Sequence, residues 1–181
     1  MNDNSEKKTF LKKHKKTFMF LALVFWLATA VLLFIREANA FSEQVKPDYN
    51  QQSLFAEYDV FKEGFDDYKV SEEELEFVAS LPDNVEIKVF FGTWCHDSKR
   101  EVPRLLKSFQ SKSDIIKLYS LDHQKSHESG LEKTYKVKYT PTIVVLVDGQ
   151  EVGRIVEHPE ATIAEDISVF VGNANSAARG E

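Results

Sequence analysis

The chain holds one cysteine, Cys95, within the stretch WCHDSK at residues 94–99. An apolar run ends just before this stretch and a helix is predicted just after it, so the thiol lies at the N-terminal end of a helix. Unpaired backbone N–H groups and the positive end of the helix dipole stabilise a thiolate at such a position. We therefore expect a lowered pKa for Cys95, with His96 and Lys99 adding favourable positive charge and Asp97 opposing it.

Two residues of this stretch have alternative interpretations. Cys95 could be a buried and unreactive thiol, although the turn from strand to helix is where open α/β sheets place their ligand sites. Ser98 could donate a hydrogen bond to the thiolate, or it could form an S-x-x-E capping box with Glu101 and start the helix there. The second arrangement would leave Cys95 outside the first turn and weaken the effect of the dipole, and the sequence leaves both open.

His123 and His127 follow the second predicted strand. The carboxyl end of that strand should lie at the same edge of the sheet as Cys95, so these histidines could join His96 and Asp97 in a metal site. Their spacing is not one of the strong zinc patterns, and a solvated polar loop is the preferred interpretation. The sequence therefore predicts no metal and no cofactor.

Alternating helices and strands surround the Cys95 stretch. Ser71 and Glu74 have the spacing of a capping box, which predicts a helix from there to about Leu81. The elements predicted after it are a buried strand at 85–91, a helix at 99–110, a strand at 115–121 and a short helix at 128–135. This alternation is typical of a parallel βαβ unit.

A β-hairpin and a last helix follow. Asp148-Gly149 between the apolar runs 142–147 and 151–156 is a strong hairpin signal. A helix is predicted at 161–171, and the small polar residues 172–181 are predicted to form a flexible tail. Upstream, aromatic residues spaced three and four apart in 54–70 predict a short amphipathic helix or a wrapped extension.

This order of elements, with Trp94 and Cys95 where the first strand turns into its helix, resembles the thioredoxin family over about residues 85–171. The other matching residues are Lys99, Pro103, Thr140-Pro141-Thr142 and Gly149. The resemblance implies an α/β, thioredoxin-like fold with a central mixed sheet. It also implies a cis Pro141 against the active-site sulfur, Thr140 and Pro141 as substrate contacts, and Trp94 as a wall of the site.

The sequence departs from the family at two positions that matter for the chemistry. Ser98 stands where the family has its second cysteine, so no internal disulfide can form. Val89 stands where the family often has a buried acid six residues before the thiol, and Glu86 and Lys88 do not occupy that position. The usual dithiol cycle is therefore excluded.

Three functions remain open on this evidence. The leading one is monothiol thiol-disulfide exchange, with Cys95 as the nucleophile, Ser98 and His96 as modulators, and an external thiol resolving the adduct. Its partners would be protein or small-molecule thiols and disulfides. The alternatives are a non-catalytic binding module for an envelope partner and a Cys/His metal-handling protein.

An apolar run near the N-terminus predicts export. Residues 18–35 carry no charge, and as a helix they nearly span a bilayer core of about 30 Å. Lysines precede the run while only Arg36 follows it, so residues 1–17 are predicted to be cytoplasmic and the folded domain extracytoplasmic, or periplasmic in a bacterium. Cleavage of a signal peptide after Ala40 is the alternative, and it exports the domain to the same compartment.

Charge and composition complete the domain prediction. Residues 1–40 hold 7 of the 23 Lys/Arg and 3 of the 29 Asp/Glu, which leaves 16 basic and 26 acidic side chains, a net charge of −10, for the rest. This excess of acid argues against a nucleic-acid-binding face. We predict a linker at 36–53, one thioredoxin-like domain at 54–171 and the tail at 172–181.

Overall fold

The computed structural model describes residues 19–33, 36–37 and 45–179, and the chain forms two compact units, Met1–Gln44 and Val45–Glu181. In the first unit residues 19–33 form helix α1, whose large apolar side chains are exposed. None of the helices in the described residues is both long and apolar enough to cross a membrane. Residues 18, 34 and 35 of the predicted span, the stretch 1–17 and the cleavage site at Ala40 lie outside those residues.

The second unit contains six helices, a 3-10 segment and four strands within residues 45–179. The helices are α2 (Gln51–Glu57), α3 (Asp59–Asp67), α4 (Glu72–Ser80), α5 (His96–Ser108), α6 (Leu131–Thr134) and α7 (Ile163–Arg179). The strands are β1 (Val85–Phe91), β2 (Ile116–Ser120), β3 (Thr142–Val147) and β4 (Gln150–Val156), with the 3-10 segment at Gln110–Ile115. The capping box of Ser71 and Glu74 forms as predicted.

The four strands form one mixed sheet in the order β2-β1-β3-β4. Strand β1 runs parallel to β2 and antiparallel to β3, and β3 and β4 form the predicted hairpin. Apolar side chains cover β1 on both faces, with Val89 in the larger core and Phe90 in a smaller one. The α/β, thioredoxin-like fold with a mixed sheet is therefore confirmed, and β1 is an inner strand in which every residue except Glu86 is buried.

The hairpin turn forms for the predicted reason. Asp148 and Gly149 have φ angles of 51° and 75°, the left-handed backbone that a two-residue turn of this kind requires. The predicted end of the last helix is wrong, because α7 continues to Arg179. Residues 172–179 of the predicted tail are helical, and residues 180 and 181 lie outside the described part of the chain.

The folded unit begins earlier than the sequence predicted. Two helices replace the single short helix expected at 54–70, and a capping box between Asn50 and Ser53 starts the first of them. Within the predicted linker, the backbone N–H of Asp48 donates to the carbonyl of Leu118 in β2 at 2.9 Å. The linker prediction is therefore wrong for residues 45–53, because tertiary contacts order a segment that has no periodicity of its own.

Helix α3 packs against α5, the helix that follows Cys95. Pro103 lies inside α5 and has no N–H to donate, which leaves the carbonyl of Lys99 without its usual helical partner. Gly64 of α3 lies opposite this point, where an added Cβ would be 3.1 Å from Cγ of Pro103 and 3.5 Å from the Lys99 carbonyl oxygen. A glycine at 64 thus lets the two helices approach closely.

We expect the aromatic side chains beneath α3 to contribute as much to the free energy of unfolding as the side chains of the central strand do. The Phe61 side chain is fully buried, and its ring meets that of Phe91 edge-on at 5.7 Å. Phe61→Ala should lower the free energy of unfolding by about 3–5 kcal/mol, as for other buried phenylalanines. Urea denaturation of the full chain measures it.

The neighbouring Val60 is 40% exposed and provides the control. Val60→Ala should change the free energy of unfolding by only about 0.5 kcal/mol. A loss below about 1 kcal/mol for Phe61→Ala would mean that α3 is an appendage and not part of the core.

Candidate functional site

Cys95 is the N-cap of helix α5 and directly precedes its first residue, His96. The Cys95 N–H donates to the Gly92 carbonyl at 3.0 Å, which closes a turn after β1, and its own carbonyl accepts from the N–H of Lys99 at 3.0 Å. The Cys95 side chain makes no cap hydrogen bond, but the backbone N–H groups of Asp97 and Ser98 in the first turn lie close enough to the sulfur to lower its pKa. The helix begins three residues earlier than predicted, and the expected position of the thiol at the helix end is confirmed.

Ser98 is the third residue of α5 and is fully buried. Its hydroxyl oxygen accepts a hydrogen bond from the Gly92 N–H at 3.1 Å. Glu101 instead pairs with Arg100 and Arg104, at 2.5 and 3.3 Å. The capping-box interpretation of Ser98 is therefore wrong, because its hydroxyl is committed to the turn that precedes the helix.

The pKa of Cys95 is lowered from its ordinary value. Burial by itself would raise the pKa, but it is outweighed by hydrogen bonds from the Thr140 side chain, from the backbone and side chain of Ser98, and from the Asp97 backbone. In the protonated state the thiol donates to the Thr140 carbonyl at 3.1 Å. Loss of the proton thus exchanges one bond for several that favour the anion, which is the predicted direction.

The Thr140-Pro141 peptide bond is cis, as the resemblance implied. Thr140 is buried, and its carbonyl lies within hydrogen-bond distance of the Cys95 sulfur. The Pro141 carbonyl accepts from the N–H of Glu157 at 2.8 Å, so the segment after β4 borders the same ledge. The structure therefore brings Thr140 and Pro141 to the thiol, and their contact with a substrate stays a prediction.

Trp94 is held in place from three sides. Its indole N–H donates to the Leu121 carbonyl at 3.1 Å, and its ring stacks on that of His123 with centroids 4.8 Å apart. On a third side, a Cβ added to Gly92 would lie 2.7 Å from the indole ring, so only glycine fits there. Trp94 is thus a rigid wall beside Cys95.

His127 does not join His123 in a metal site. Its Nε2 lies 3.0 Å from a carboxylate oxygen of Asp48, its Nδ1 lies 2.6 Å from the Ser129 hydroxyl, and its side chain is 6% exposed. Across residues 19–33, 36–37 and 45–179 no group of three or more His, Cys, Asp or Glu side chains is arranged to hold a metal ion. The described residues therefore do not assemble the Cys/His set that the metal hypothesis needs.

Two other predicted features can be compared with the structure. The His96 side chain is 89% exposed and lies 3.9 Å from Asp97, so its role as a modulator of Cys95 stays a prediction. Val89 is fully buried six residues before the thiol, while Glu86 and Lys88 pair with each other on the opposite face of β1. As expected, no acid occupies the Val89 position.

Gly92, Asp48 and Tyr139 border the site and were missed by the sequence analysis. A glycine at the end of a buried strand signals a close approach of another group, and here that group is the indole of Trp94. Asp48 lies more than 40 residues before Cys95 in a segment without periodicity, so it gave no signal. Tyr139 is half exposed beside Thr140, and its ring lies 5.2 Å from the ammonium group of Lys125.

Comparisons with known proteins show what this chain is similar to. The model of the Thioredoxin family matches residues 68–169. Thioredoxin of Staphylococcus aureus is 30% identical over 96 residues, which cover 51% of this chain and 88% of that protein. Among solved structures, Fasciola hepatica thioredoxin covers 52% of this chain and 88% of its own, at 20% identity and a TM-score of 0.38. A Pseudomonas aeruginosa protein of unknown function covers 77% and 95%, at 14% identity and a TM-score of 0.48.

The lowered pKa of Cys95 makes a prediction about its alkylation. The rate of reaction with iodoacetamide should titrate at a lower pH in the folded chain than in urea, because the thiolate is the reacting species. Ser98→Ala removes one hydrogen bond to the thiolate, so the folded-state midpoint should move up. Ser113→Ala, at an exposed serine of the 3-10 segment, should leave it unchanged.

The same shift links Cys95 to stability. A pKa that folding lowers contributes stability that is fully present above the unfolded-state pKa and is lost as pH falls through the folded-state pKa. Wild type should therefore gain stability relative to Cys95→Ser as pH rises over that window. A folded-state alkylation midpoint at or above the midpoint in urea would mean an unreactive thiol.

Proposed function

Because the chain belongs to the thioredoxin family, we propose that it carries out thiol-disulfide exchange through the single thiol of Cys95, as a monothiol protein. The observation that carries the proposal is the position of the sulfur, at the N-cap of α5 and 3.1 Å from the Thr140 carbonyl. A lowered thiol pKa at this position increases the fraction of Cys95 that is present as thiolate, the form that attacks a disulfide. The substrates would be protein or small-molecule disulfides.

The reaction takes two exchange steps. The Cys95 thiolate attacks one sulfur of the substrate disulfide, a new S–S bond forms, and the other substrate sulfur leaves as a thiolate that takes up a proton. An external thiol then loses its proton and attacks the mixed disulfide, which releases Cys95 as a thiolate again. The substrate disulfide is reduced at one sulfur, the external thiol is oxidised, and the protein ends unchanged.

The residues around the thiol support this cycle at different points. Ser98 and the first-turn N–H groups stabilise Cys95 as the attacking thiolate and again as the leaving group. Trp94 and the Thr140-Pro141 ledge flank the sulfur, so an approaching disulfide is confined between them. The chain has no second cysteine, so the second step needs an outside thiol.

A binding module is the second candidate, and two observations favour it. Ser98 is buried and hydrogen-bonded where a resolving thiol would lie, and Val89 offers no acid to accept a proton during resolution. A thioredoxin-like groove with these residues can hold an extended peptide without turnover. The lifetime of the Cys95 adduct distinguishes the two functions.

We also propose that residues 18–35 anchor the protein in a membrane with the folded unit outside the cytoplasm. The support is the uncharged run itself and the lysines that precede it, which follow the positive-inside rule. An oxidising compartment would supply disulfide substrates to a lone reactive thiol. Cleavage after Ala40 would place the same domain in that compartment without an anchor.

The missing resolving thiol gives a direct test of monothiol exchange. Wild-type protein should form a mixed disulfide with a peptide disulfide, and mass spectrometry should show that the adduct persists until an external thiol is added. Ser98→Cys should shorten the adduct lifetime at least about tenfold, because an internal thiol one turn away attacks without a diffusional step.

Two variants control this experiment. Cys95→Ser should form no adduct. Ser113→Cys adds a second thiol beyond the C-terminal end of α5 and should leave the adduct lifetime unchanged. If wild-type protein forms no adduct while it still binds the peptide, the exchange function fails and the binding module is correct.

The topology is tested by reporters fused after Glu181. A reporter that is active only outside the cytoplasm should be active in the fusion, and deletion of residues 18–35 should abolish that activity. Activity of a reporter that works only in the cytoplasm would overturn the proposed orientation.

A further inference from the structure

A stretch of basic side chains leads to the ledge beside Cys95. Residues 133–147 contain three lysines, Lys133, Lys136 and Lys138, and no Asp or Glu, although the exported part of the chain is strongly acidic. All three lysines are exposed. A local excess of positive charge in an acidic domain is a feature that the proposed exchange reaction does not by itself require.

The basic stretch is close to the reacting sulfur. Lys138 precedes Thr140 by two residues, so their Cα atoms are at most about 7.6 Å apart. The Thr140 carbonyl lies 3.1 Å from the Cys95 sulfur. A substrate that reaches Cys95 across the Thr140-Pro141 ledge therefore passes within reach of the Lys138 ammonium group.

A fourth lysine extends the same surface from another loop. Lys125 has a left-handed backbone with φ 59°, and its ammonium group lies 5.2 Å from the centre of the half-exposed Tyr139 ring. Within the described residues, no carboxylate forms a salt bridge with Lys125, Lys136 or Lys138. We call Lys125, Lys136, Lys138 and Tyr139 the basic rim.

Among the acidic side chains near this segment, Glu132 is buried, and Asp122 and Asp97 already have partners. Asp122 directs its carboxylate to the N–H groups of Gln124 and Ser126, at 2.9 and 2.8 Å. Asp97 pairs with Arg100 at 2.8 Å. Glu157 borders the ledge from the other side, where its N–H donates to the Pro141 carbonyl.

We propose that the basic rim selects substrates in which acidic residues flank the reacting cysteine. The inference deepens the proposed exchange function and rests on it. Carboxylates beside the substrate sulfur would meet unpaired ammonium groups within about one Debye length, where Coulomb attraction at moderate salt still raises the encounter rate. Tyr139 offers an apolar face between those charges for the side chains of the same peptide.

The experiment uses the full chain and three peptides, each with one cysteine. The peptides differ only in the two residues on each side of that cysteine, which are all Asp, all Ser or all Lys. Each cysteine carries a 2-pyridyl disulfide. Attack by Cys95 forms the Cys95–peptide disulfide and releases 2-thiopyridone, whose absorbance gives the second-order rate constant. At low salt the rate constants should follow the order Asp, Ser, Lys with several-fold steps, and the steps should nearly vanish at 1 M salt.

Matched charge reversals locate the effect. Lys138→Glu should reduce the preference for the Asp peptide several-fold, and Lys136→Glu with Lys138→Glu should reverse the order. Lys69→Glu makes the same change in net charge as Lys138→Glu, but beside Lys107 and Ser111, near the far end of α5 about 20 Å from Cys95, and should keep the order of wild type.

The possible outcomes distinguish a failure of the proposed selectivity from a failure of the exchange function. If wild type releases 2-thiopyridone from all three peptides at equal rates, the proposed selectivity is wrong while exchange stands. Equal rates together with binding to phosphatidylserine vesicles that Lys136→Glu with Lys138→Glu abolishes would assign the basic rim to a lipid surface instead. No release from the Ser peptide by wild type would overturn the exchange function itself.

Discussion

The hydrogen bond from the Gly92 N–H to the Ser98 hydroxyl is the interaction on which the site depends. It joins the end of the central strand to the first turn of α5 and thereby sets the residue at which the helix begins. Cys95 is the N-cap of that helix, so the same bond directs the free N–H groups of the helix toward the sulfur. Gly92 also leaves the space that the Trp94 ring occupies, so one short turn arranges both the nucleophile and its wall.

The features that could be predicted from the sequence are those with a local cause. The buried strand at 85–91 and the Asp148-Gly149 turn follow from side-chain pattern and backbone preference, and both formed as expected. The start of α5 could not be predicted in the same way, because Ser98 and Glu101 fit a capping box while the actual partner of Ser98 is a backbone group in the preceding turn. Ser98 can satisfy its hydroxyl in either way. The choice depends on where the Gly92 N–H lies in the folded protein, and the local sequence pattern does not contain that information.

The helices before the matched family region form a second group of features beyond sequence prediction. The spacing of their aromatic residues indicated that these helices pack against another element but did not indicate which one. In the structure α3 packs against α5, the helix that follows Cys95. Gly64 approaches the point at which Pro103 interrupts the hydrogen bonding of α5, and Phe61 meets Phe91 at the end of the central strand. The family model begins at residue 68, so Phe61 and Gly64 lie before the matched region, while Phe91 and Pro103 lie inside it. Helix α3, which precedes the matched region, thus helps to fix the strand and the helix between which Cys95 lies.

The segment at Asp48 and Tyr49 has a consequence for the solution behaviour of the protein. Strand β2 is an edge of the sheet, and an open edge can recruit the strand of another molecule and lead to aggregation. Asp48 and Tyr49 donate their N–H groups to the Leu118 carbonyl, and the Asp48 carboxylate accepts the N–H of Ser120, so the donors and acceptors at the centre and end of this edge are already used. The pair of Asp48 with His127 then fastens the segment to the loop behind it. These few residues therefore protect the β2 edge against pairing with a strand of another molecule, while β4 of the hairpin forms the opposite edge of the sheet.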